Sequence, residues 1–327
     1  MKSIKNITSL SFKVDAKTSN KVVGILKYLF KIIVLLAIGY IIIYPLLQMI
    51  VTSVKSEDAF YDATKVWLPS EFDIKFNFSL AIESLDFFNS LKSTLLLQMV
   101  SALFSVFSCA VAAYGFSRFK FRFKGVLMTC LFISILIPET MIIIPRVVNY
   151  SNLDILGILG LINKFTGVDL RLNIIGTPWA FWLPSIFGLG LRSGILIFIY
   201  IQFFKSLPVE LEEAAWVDGA NPFRTFFSIA IPSSSVVITT VLVFSIIWHW
   251  NDSFLASMYM QDNFPLAVSL ERIVTTLNSY GYFSDQNVEA QAVIMAACVL
   301  FIIPPLVFYM FMQRKFIESI DRVGITG

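Results

Sequence analysis

The sequence is poor in charged residues and contains a single histidine and three cysteines in 327 residues. Only 14% of its residues are Asp, Glu, Lys or Arg, whereas 57% are hydrophobic, and the mean hydropathy is +0.77. This composition excludes an ordinary soluble globular domain. The net charge of +3 is scattered along the chain, so no basic patch for nucleic acid is expected.

The rarity of metal-binding and redox residue types excludes further classes of site. Cys109, Cys130 and Cys298 lie inside separate apolar runs without CxxC spacing, and we expect them to be buried packing residues. His249 is the only histidine and is likewise expected to be a packed residue, so no metal site is predicted. No GxxxxGK[ST] motif occurs, so the chain is not expected to hydrolyse ATP and is predicted to be non-catalytic.

Long apolar runs are what the sequence has in abundance. A helix that crosses a bilayer needs about 20 apolar residues, because lipid cannot satisfy backbone polar groups. The runs predict an all-α, polytopic membrane protein with six transmembrane helices at residues 32–54, 93–117, 125–145, 172–204, 225–251 and 290–313. No linker or repeat divides the chain, so residues 1–327 are predicted to form one domain, with tails at 1–31 and 314–327.

Lysine and arginine in the connecting segments indicate the orientation, because short loops rich in these residues stay in the cytoplasm. With the N-terminus inside, the inner segments carry more than twice as many of them as the outer segments. Both tails and the polar segment 205–232 are therefore predicted to be cytoplasmic. The acidic loop 51–90 is then outside, either as an amphipathic element that favours a basic partner or as a solvated connector.

Segment 205–232 interrupts the apolar sequence with acidic and helix-forming residues. Ser206 and Pro208 predict the start of a helix. Its first turns carry carboxylates that favour the positive end of the helix dipole, namely Glu210, Glu212 and Glu213. Four residues at helical spacing share one face, and its two alanines leave room for another protein to come close: Leu211, Ala214, Ala215 and Asp218.

A turn and a second helix complete the segment. Gly219 predicts the turn, Asn221 the cap of the second helix and Pro222 its first residue. Pro232 is expected to break or bend this helix where the chain re-enters the membrane. A helix that merely lies on lipid would carry basic residues on its polar face, whereas here Arg224 is outnumbered by carboxylates. The charge therefore favours a protein partner.

One pattern in this segment resembles the EAA loop of permease subunits of ATP-binding-cassette (ABC) importers. Its residues are Glu213-Ala214-Ala215, Gly219, Ile229, Ile231 and Pro232, and the family usually has leucine where this chain has Ile231. Five stretches are similar to carbohydrate-uptake permeases of the maltose-type second-subunit group: "AAYGFSRFKFRFKG" (112–125), "IPETMIIIP" (137–145), "QFFKSLPVELEEAAWVDGA" (202–220), "WHWNDSFLA" (248–256) and "QRKFIESIDRVGITG" (313–327).

The resemblance implies a mechanical role in sugar uptake across the bacterial cell membrane. The implied partners are a homologous second permease subunit, two cytoplasmic ABC ATPase subunits that hold ATP and Mg²⁺, an extracellular solute-binding protein and a carbohydrate solute, with no cofactor in this chain. The residues implied to dock on the ATPase are Glu212, Glu213, Ala214, Ala215, Asp218, Gly219, Pro222, Ile229 and Pro232. Gly324 and Gly327 resemble glycines of a tail that reaches into the ATPase dimer.

Two charged residues fall inside predicted spans, where an ionisable group by default indicates a transport pathway. At 1.5 Å per residue, Glu139 and Arg192 both lie roughly 20 Å from the inner ends of their spans. They are either an ion pair that joins the third and fourth spans or two members of a polar translocation cavity. An ion-coupled secondary transporter is an alternative class, but it leaves the EAA spacing unexplained. An importer permease for a non-sugar solute is another.

Aromatic and polar residues cluster around His249 near the outer end of the fifth span: Trp248, Trp250, Asn251 and Asp252. Aromatic faces and planar polar groups hold sugars, so one interpretation is a translocation path. The other is an interfacial aromatic belt, which explains the tryptophans without any solute.

Overall fold

A computed structural model describes residues 16–61, 67–154, 157–167, 171–281 and 289–324. These residues form helices and two isolated β-bridges, and no strand occurs among them. The helices are α1 (Ala16–Ser53), α2 (Glu57–Tyr61), α3 (Ile74–Ser84), α4 (Phe87–Ser93), α5 (Val100–Arg118), α6 (Lys124–Leu136), α7 (Glu139–Ser151), α8 (Ile158–Thr166), α9 (Trp179–Ile186), α10 (Ser193–Ser206), α11 (Glu210–Val217), α12 (Pro222–Thr225), α13 (Ile231–Ser233), α14 (Ser235–Trp250), α15 (Phe254–Tyr259), α16 (Leu266–Glu271), α17 (Ile273–Ser279) and α18 (Glu289–Gly324).

Three helices are long and apolar enough to cross a membrane: Val23–Ser53, Phe87–Arg118 and Ala290–Gln313. They correspond to the predicted spans 32–54, 93–117 and 290–313. Three bent pairs satisfy the same requirement when each pair is taken together: Lys124–Leu136 with Glu139–Ser151, Ser193–Ser206 with Glu210–Val217, and Pro222–Ser233 with Ser235–Trp250. The described part of the chain therefore contains between three and six candidate membrane spans.

The predicted third span, 125–145, is not one straight helix. Helix α6 ends at Leu136, α7 begins at Glu139, and the two meet at an angle of 106°. Pro138 causes the break, because its ring removes a backbone donor and excludes the preceding residue, Ile137, from helical angles. Glu139 consequently lies in the first turn of α7, and its depth cannot be counted along a straight helix.

The predicted fourth span, 172–204, contains two separate helices, α9 and α10, and is not one continuous helix. Helix α9 ends at Ile186, a turn follows, and α10 begins only at Ser193. Within the turn Gly188 adopts a φ of 69°, which glycine tolerates. Arg192 caps α10 with a φ of 52°, a left-handed conformation that is uncommon for a residue with a Cβ atom.

The predicted fifth span, 225–251, is bent as expected, although the bend follows the proline. A π-helical segment, Phe226–Ala230, connects α12 to α13, and the axis then turns by 80° at Ser234. Pro232 lies in the first turn of α13, where its missing backbone donor is tolerated. The Ser234 hydroxyl donates to the Ala230 carbonyl at the bend.

Helix α5 is the centre of the packing and contacts α9, α10 and α14. Its small residues Cys109 and Ala113 are buried, and this allows Tyr200 and Phe204 of α10 to pack closely against it. The expectation of buried cysteines holds for Cys109. It is wrong for Cys130, which is exposed because α6 buries none of its residues.

Gly190 is packed too tightly to accept a larger side chain. A Cβ atom at this position would lie 2.7 Å from Ser185 Oγ and 3.1 Å from Ser185 Cα. We therefore expect Gly190→Ala to lower the free energy of unfolding by about 1–3 kcal/mol, since the backbone must shift. Thermal melting in detergent measures the change. Gly115→Ala is the matched control, because no atom lies within 4 Å of its added Cβ; equal melting temperatures for both variants would contradict the packing argument.

Candidate functional site

The predicted helix-turn-helix segment, 205–232, begins in the last turn of α10, and we call its residues 207–232 the elbow. Gly219 ends the first helix with a φ of 82°, and Asn221 Oδ1 accepts a hydrogen bond of 2.8 Å from the Arg224 amide. Pro222 is the first residue of α12. These local predictions are confirmed. The predicted helix start at Ser206 is wrong, because Ser206 is the last residue of α10 and α11 begins at Glu210.

One carboxylate of the elbow is buried inside the protein. Glu212 is 1% exposed; its Oε1 accepts a 2.8 Å hydrogen bond from Arg118 Nε and its Oε2 a 3.0 Å bond from the Tyr114 hydroxyl. Arg118 also donates to the Leu207 carbonyl at 3.1 Å. Glu212 was predicted to dock on a partner, but the structure turns it inward, where it ties the elbow to the end of α5.

Much of the remaining surface of the elbow is exposed and partly apolar. Val217 and Phe223 are 87% and 77% exposed, and Leu211 and Trp216 are also exposed. The predicted docking residues on this surface are Glu213, Ala214, Asp218, Gly219, Pro222 and Pro232, which are exposed, and Ala215 and Ile229, which are half-buried. A patch of large apolar side chains on a polar segment is typical of a protein interaction site.

The second predicted contact with a partner is the C-terminal tail. The backbone remains helical beyond residue 313, and Gly324 is the last residue of α18. Gly327 lies outside the described residues.

The two intramembrane charges do not pair with each other. Glu139 Oε2 accepts a 2.9 Å hydrogen bond from an Arg146 guanidinium nitrogen two turns along α7. The Arg192 guanidinium instead lies over the Trp248 ring, 5.1 Å from its centroid. The proposed ion pair between Glu139 and Arg192 is therefore wrong, and the alternative, in which both line one cavity, agrees with the geometry.

That cavity is open on one side and has an empty volume of about 690 Å³. Its lining includes five of the predicted pathway residues and five others: Glu139, Arg192, Trp248, Asn251 and Asp252, with Leu191, Ile247, Ser253, Phe254 and Leu255. This volume includes the open mouth of the cavity, so the enclosed space is smaller. Trp250 is not part of it. Its side chain is buried against Phe301 in the core, so this predicted pathway residue has a packing role.

A second, smaller cavity of about 300 Å³ shares Asp252 with the first. Asp252 is buried, and its carboxylate accepts hydrogen bonds from the Leu255 amide at 3.0 Å and from Gln98 Nε2 at 3.4 Å. His249 lines the smaller cavity and is buried as expected, with Nδ1 2.8 Å from the Ser245 carbonyl. Sequence reasoning missed Gln98 and Arg146. Only the seven-residue spacing of Glu139 and Arg146, which places them near the same helix face, could have indicated the latter.

The chain matches a model of the family described as the inner membrane component of binding-protein-dependent transport systems over residues 105–322. It belongs to this family. The permease is therefore a transport component of the inner membrane and an ABC importer subunit, as the EAA spacing predicted, and the secondary-transporter alternative is wrong.

Several named relatives resemble the permease over most of their length. It is 28% identical to a putative ABC transporter permease protein, ORF2, of Caldicellulosiruptor sp., over 86% of this chain and 91% of the relative. It is 25% identical to AmyC of Thermoanaerobacterium thermosulfurigenes, a probable permease for starch degradation products, over 75% and 78%. Identity to the sn-glycerol-3-phosphate permease UgpE of Shigella flexneri is also 25%, over 86% and 91%.

A solved structure shares the fold. A chain of a bacterial ABC transporter involved in the import of the acidic polysaccharide alginate superposes with a TM-score of 0.66 at 20% identity, over 91% of the permease and 98% of that chain. A structure of a bacterial alginate ABC transporter, in complex with a periplasmic protein that holds an alginate pentasaccharide, gives a TM-score of 0.61 over 90% and 95% at 17% identity.

The buried Arg118–Glu212 pair should dominate the stability of the elbow. We expect Glu212→Ala to lower the free energy of unfolding by about 3–5 kcal/mol, because it leaves the Arg118 guanidinium buried without its carboxylate. Replacing both residues by methionine should cost much less than the sum of the single changes. A double-mutant cycle by denaturation in detergent measures the coupling. Glu213→Ala removes an exposed carboxylate and is the control, with a change within about 0.5 kcal/mol; additive single effects would contradict the pairing.

Proposed function

We propose that the permease carries a sugar or another hydroxyl-rich solute into the cell and is driven by a separate ATPase that contacts the elbow. The observation that supports this most is the combination of an exposed apolar surface on the elbow with a buried ionic connection from Glu212 to α5. Force applied to such a segment is transmitted to the membrane helices without first deforming the elbow. The chain itself contributes no cofactor, and ATP and Mg²⁺ are bound by the ATPase.

The solute class follows from the relatives and from the cavity. AmyC and UgpE are named for starch degradation products and for sn-glycerol-3-phosphate, and the neighbouring fold belongs to an importer of a polysaccharide. Each of these solutes carries at least two hydroxyl groups. The cavity beside Arg192 offers carboxylate, amide and guanidinium groups, which are the groups that bind hydroxyl-rich ligands. A solute-binding protein delivers the solute from outside, and a homologous second permease completes the pathway.

The exposed surface of the elbow is the part that couples the permease to the ATPase. Two ATPase subunits close on ATP and carry with them this elbow and that of the second permease. Glu213 is the polar anchor, Ala214 and Ala215 allow close packing, and the exposed side chains of Val217 and Phe223 fill an apolar cleft. Alternating access then results from contacts that differ between the open and closed ATPase. Gly324 and Gly327 belong to a tail that touches the ATPase.

The topology proposed for this function has six spans with both termini in the cytoplasm. In this arrangement each bent pair contributes one membrane crossing, and the elbow lies on the ATPase side. The excess of lysine and arginine in the inner segments supports it.

Gly219→Trp should prevent association with the ATPase. The left-handed φ of 82° disfavours any side chain, and an indole here would project from the turn between the two elbow helices. We expect the tagged variant, purified in mild detergent, to retain the second permease and to lose the ATPase by at least about tenfold, which corresponds to about 1.4 kcal/mol.

Gly167→Trp is the matched control, because Gly167 also has a left-handed φ, of 73°, and has no atom within 4 Å of an added Cβ, but it lies outside the elbow. This variant should retain both partners. Recovery of a normal amount of ATPase with Gly219→Trp would contradict docking at the elbow.

Single cysteines test the orientation. In a permease whose native cysteines are replaced by alanine, Asp218→Cys should react with a membrane-impermeant maleimide only after spheroplasts are opened, whereas Ser279→Cys should react in intact spheroplasts. Both positions are exposed, so differences in labelling report the side of the membrane and not burial. Labelling of Asp218→Cys from outside would reverse the proposed topology.

A further inference from the structure

We propose that the cavity beside α10 selects a solute that carries an anionic group, such as a carboxylate or a phosphate on a hydroxyl-rich body, and that Arg192 binds this group. This inference rests on the proposed function, since it concerns the same solute, and it adds the charge of that solute.

The carboxylates at the cavity are already engaged. Glu139 is paired with Arg146 at 2.9 Å. Asp252 is buried and bonded to the Leu255 amide and to Gln98. Arg192, by contrast, is exposed, and within the described part of the chain its guanidinium has no carboxylate within 4 Å and no hydrogen-bond acceptor. The exposed charge that lacks a close partner at this cavity is therefore positive, and the buried Asp252 carboxylate attracts it only from beyond hydrogen-bond distance.

The depth of Arg192 makes this lack of a partner important. Arg192 precedes α10, whose 14 residues span roughly 21 Å from the elbow at 1.5 Å per residue. At such a depth an uncompensated guanidinium is costly, and in membrane proteins it typically faces a bundle interior or a water-filled cavity and meets an anionic partner. A neutral sugar would leave the guanidinium without an anion in direct contact, whereas a carboxylate or phosphate would pair with it through charge-assisted hydrogen bonds.

The position of the guanidinium is fixed without using its donors. The left-handed backbone at residue 192 directs the side chain from the start of α10, and the Trp248 ring supports the guanidinium by a cation–π contact. Trp248 is itself stacked on Phe244, with ring centroids 5.5 Å apart and an interplanar angle of 23°. The five N–H groups of Arg192 thus remain available in the planar fork that matches an oxyanion.

Neighbouring acceptors suit the hydroxyl groups of the same ligand. Asn251 uses its amide nitrogen to bond the Ile247 carbonyl at 2.8 Å, which leaves Asn251 Oδ1 free to accept. Glu139 lines the cavity and uses Oε2 for Arg146, which leaves Oε1 as a second acceptor. The cavity thus combines one anion-binding group with acceptors for hydroxyls, as a uronate or a phosphorylated polyol requires.

The test uses the complete importer, with its binding protein, in proteoliposomes and with matched pairs of acidic and neutral probes. The probes are digalacturonate against galactobiose, and sn-glycerol-3-phosphate against glycerol. We expect the wild type to import the acidic member of one pair in preference to the neutral member. Arg192→Gln should raise the half-saturating concentration of the acidic probe by about tenfold or more, whereas Arg192→Lys, which keeps the charge but loses the fork, should have an intermediate effect.

Arg272→Gln is the matched control, because Arg272 is also exposed and lies over an aromatic ring, Phe264, at 4.0 Å, but it does not line the cavity. Its acidic-probe uptake should equal that of the wild type. A wild type that imports only neutral saccharides, or an Arg192→Gln variant that keeps the acidic preference, would overturn the inference and leave the proposed function intact.

Two further outcomes separate the inference from its alternatives. Loss of the second permease from purified Arg192→Gln would show that Arg192 pairs with an acid of that subunit, and this also overturns the inference. Absence of uptake of every probe by the wild type, despite ATPase activity stimulated by the binding protein, would reject the hydroxyl-rich solute itself, and the inference with it.

Discussion

The buried ion pair between Arg118 and Glu212 is the constraint on which the rest of the structure depends. A guanidinium and a carboxylate removed from water are stable only while each satisfies the other, so breaking the pair is far more costly than forming it is favourable. The Tyr114 hydroxyl and the Leu207 carbonyl complete the hydrogen bonding. The elbow is thereby fixed to the end of α5 at its most buried point, and its orientation cannot change without moving α5.

Helix α5 extends this constraint toward the cavities. It packs against α9, α10 and α14, and the π-helical segment Thr94–Met99 directly precedes it. Gln98 of that segment bonds the Asp252 carboxylate, which lies between the two cavities. A displacement of Arg118 can therefore be transmitted through packed residues, along α5 and Gln98, to Asp252. Because π-helical turns have one extra residue and often occur at functional sites, this segment is the place where α5 can adjust its register.

The sequence predicted local turn chemistry well and chain direction poorly. Gly219, Asn221 and Pro222 act within three residues of themselves, so their backbone preferences determine the elbow whatever surrounds it. The breaks at Pro138 and before Arg192 were not predicted, because an apolar run specifies that a segment lies in lipid and not that it is straight. Neighbouring carboxylates show the same limit. Glu212 and Glu213 differ by about 100° around one helix, and only Arg118, far away in the sequence, determines which of them is buried.

The partner of Glu139 illustrates how one long-range choice alters the chemistry of a site. Glu139 and Arg192 were predicted to lie at similar depths in their spans, which suggested that they pair. The break at Pro138 instead turns α7 away from α6, and Glu139 pairs with Arg146, two turns further along α7. This removes Glu139 as a counter-ion for Arg192. The cavity consequently presents a carboxylate, Glu139, that is already paired with Arg146 behind it, and a guanidinium supported by Trp248. Had α6 and α7 formed one straight helix, the same two residues could have neutralised each other and left no charge for a solute to compensate.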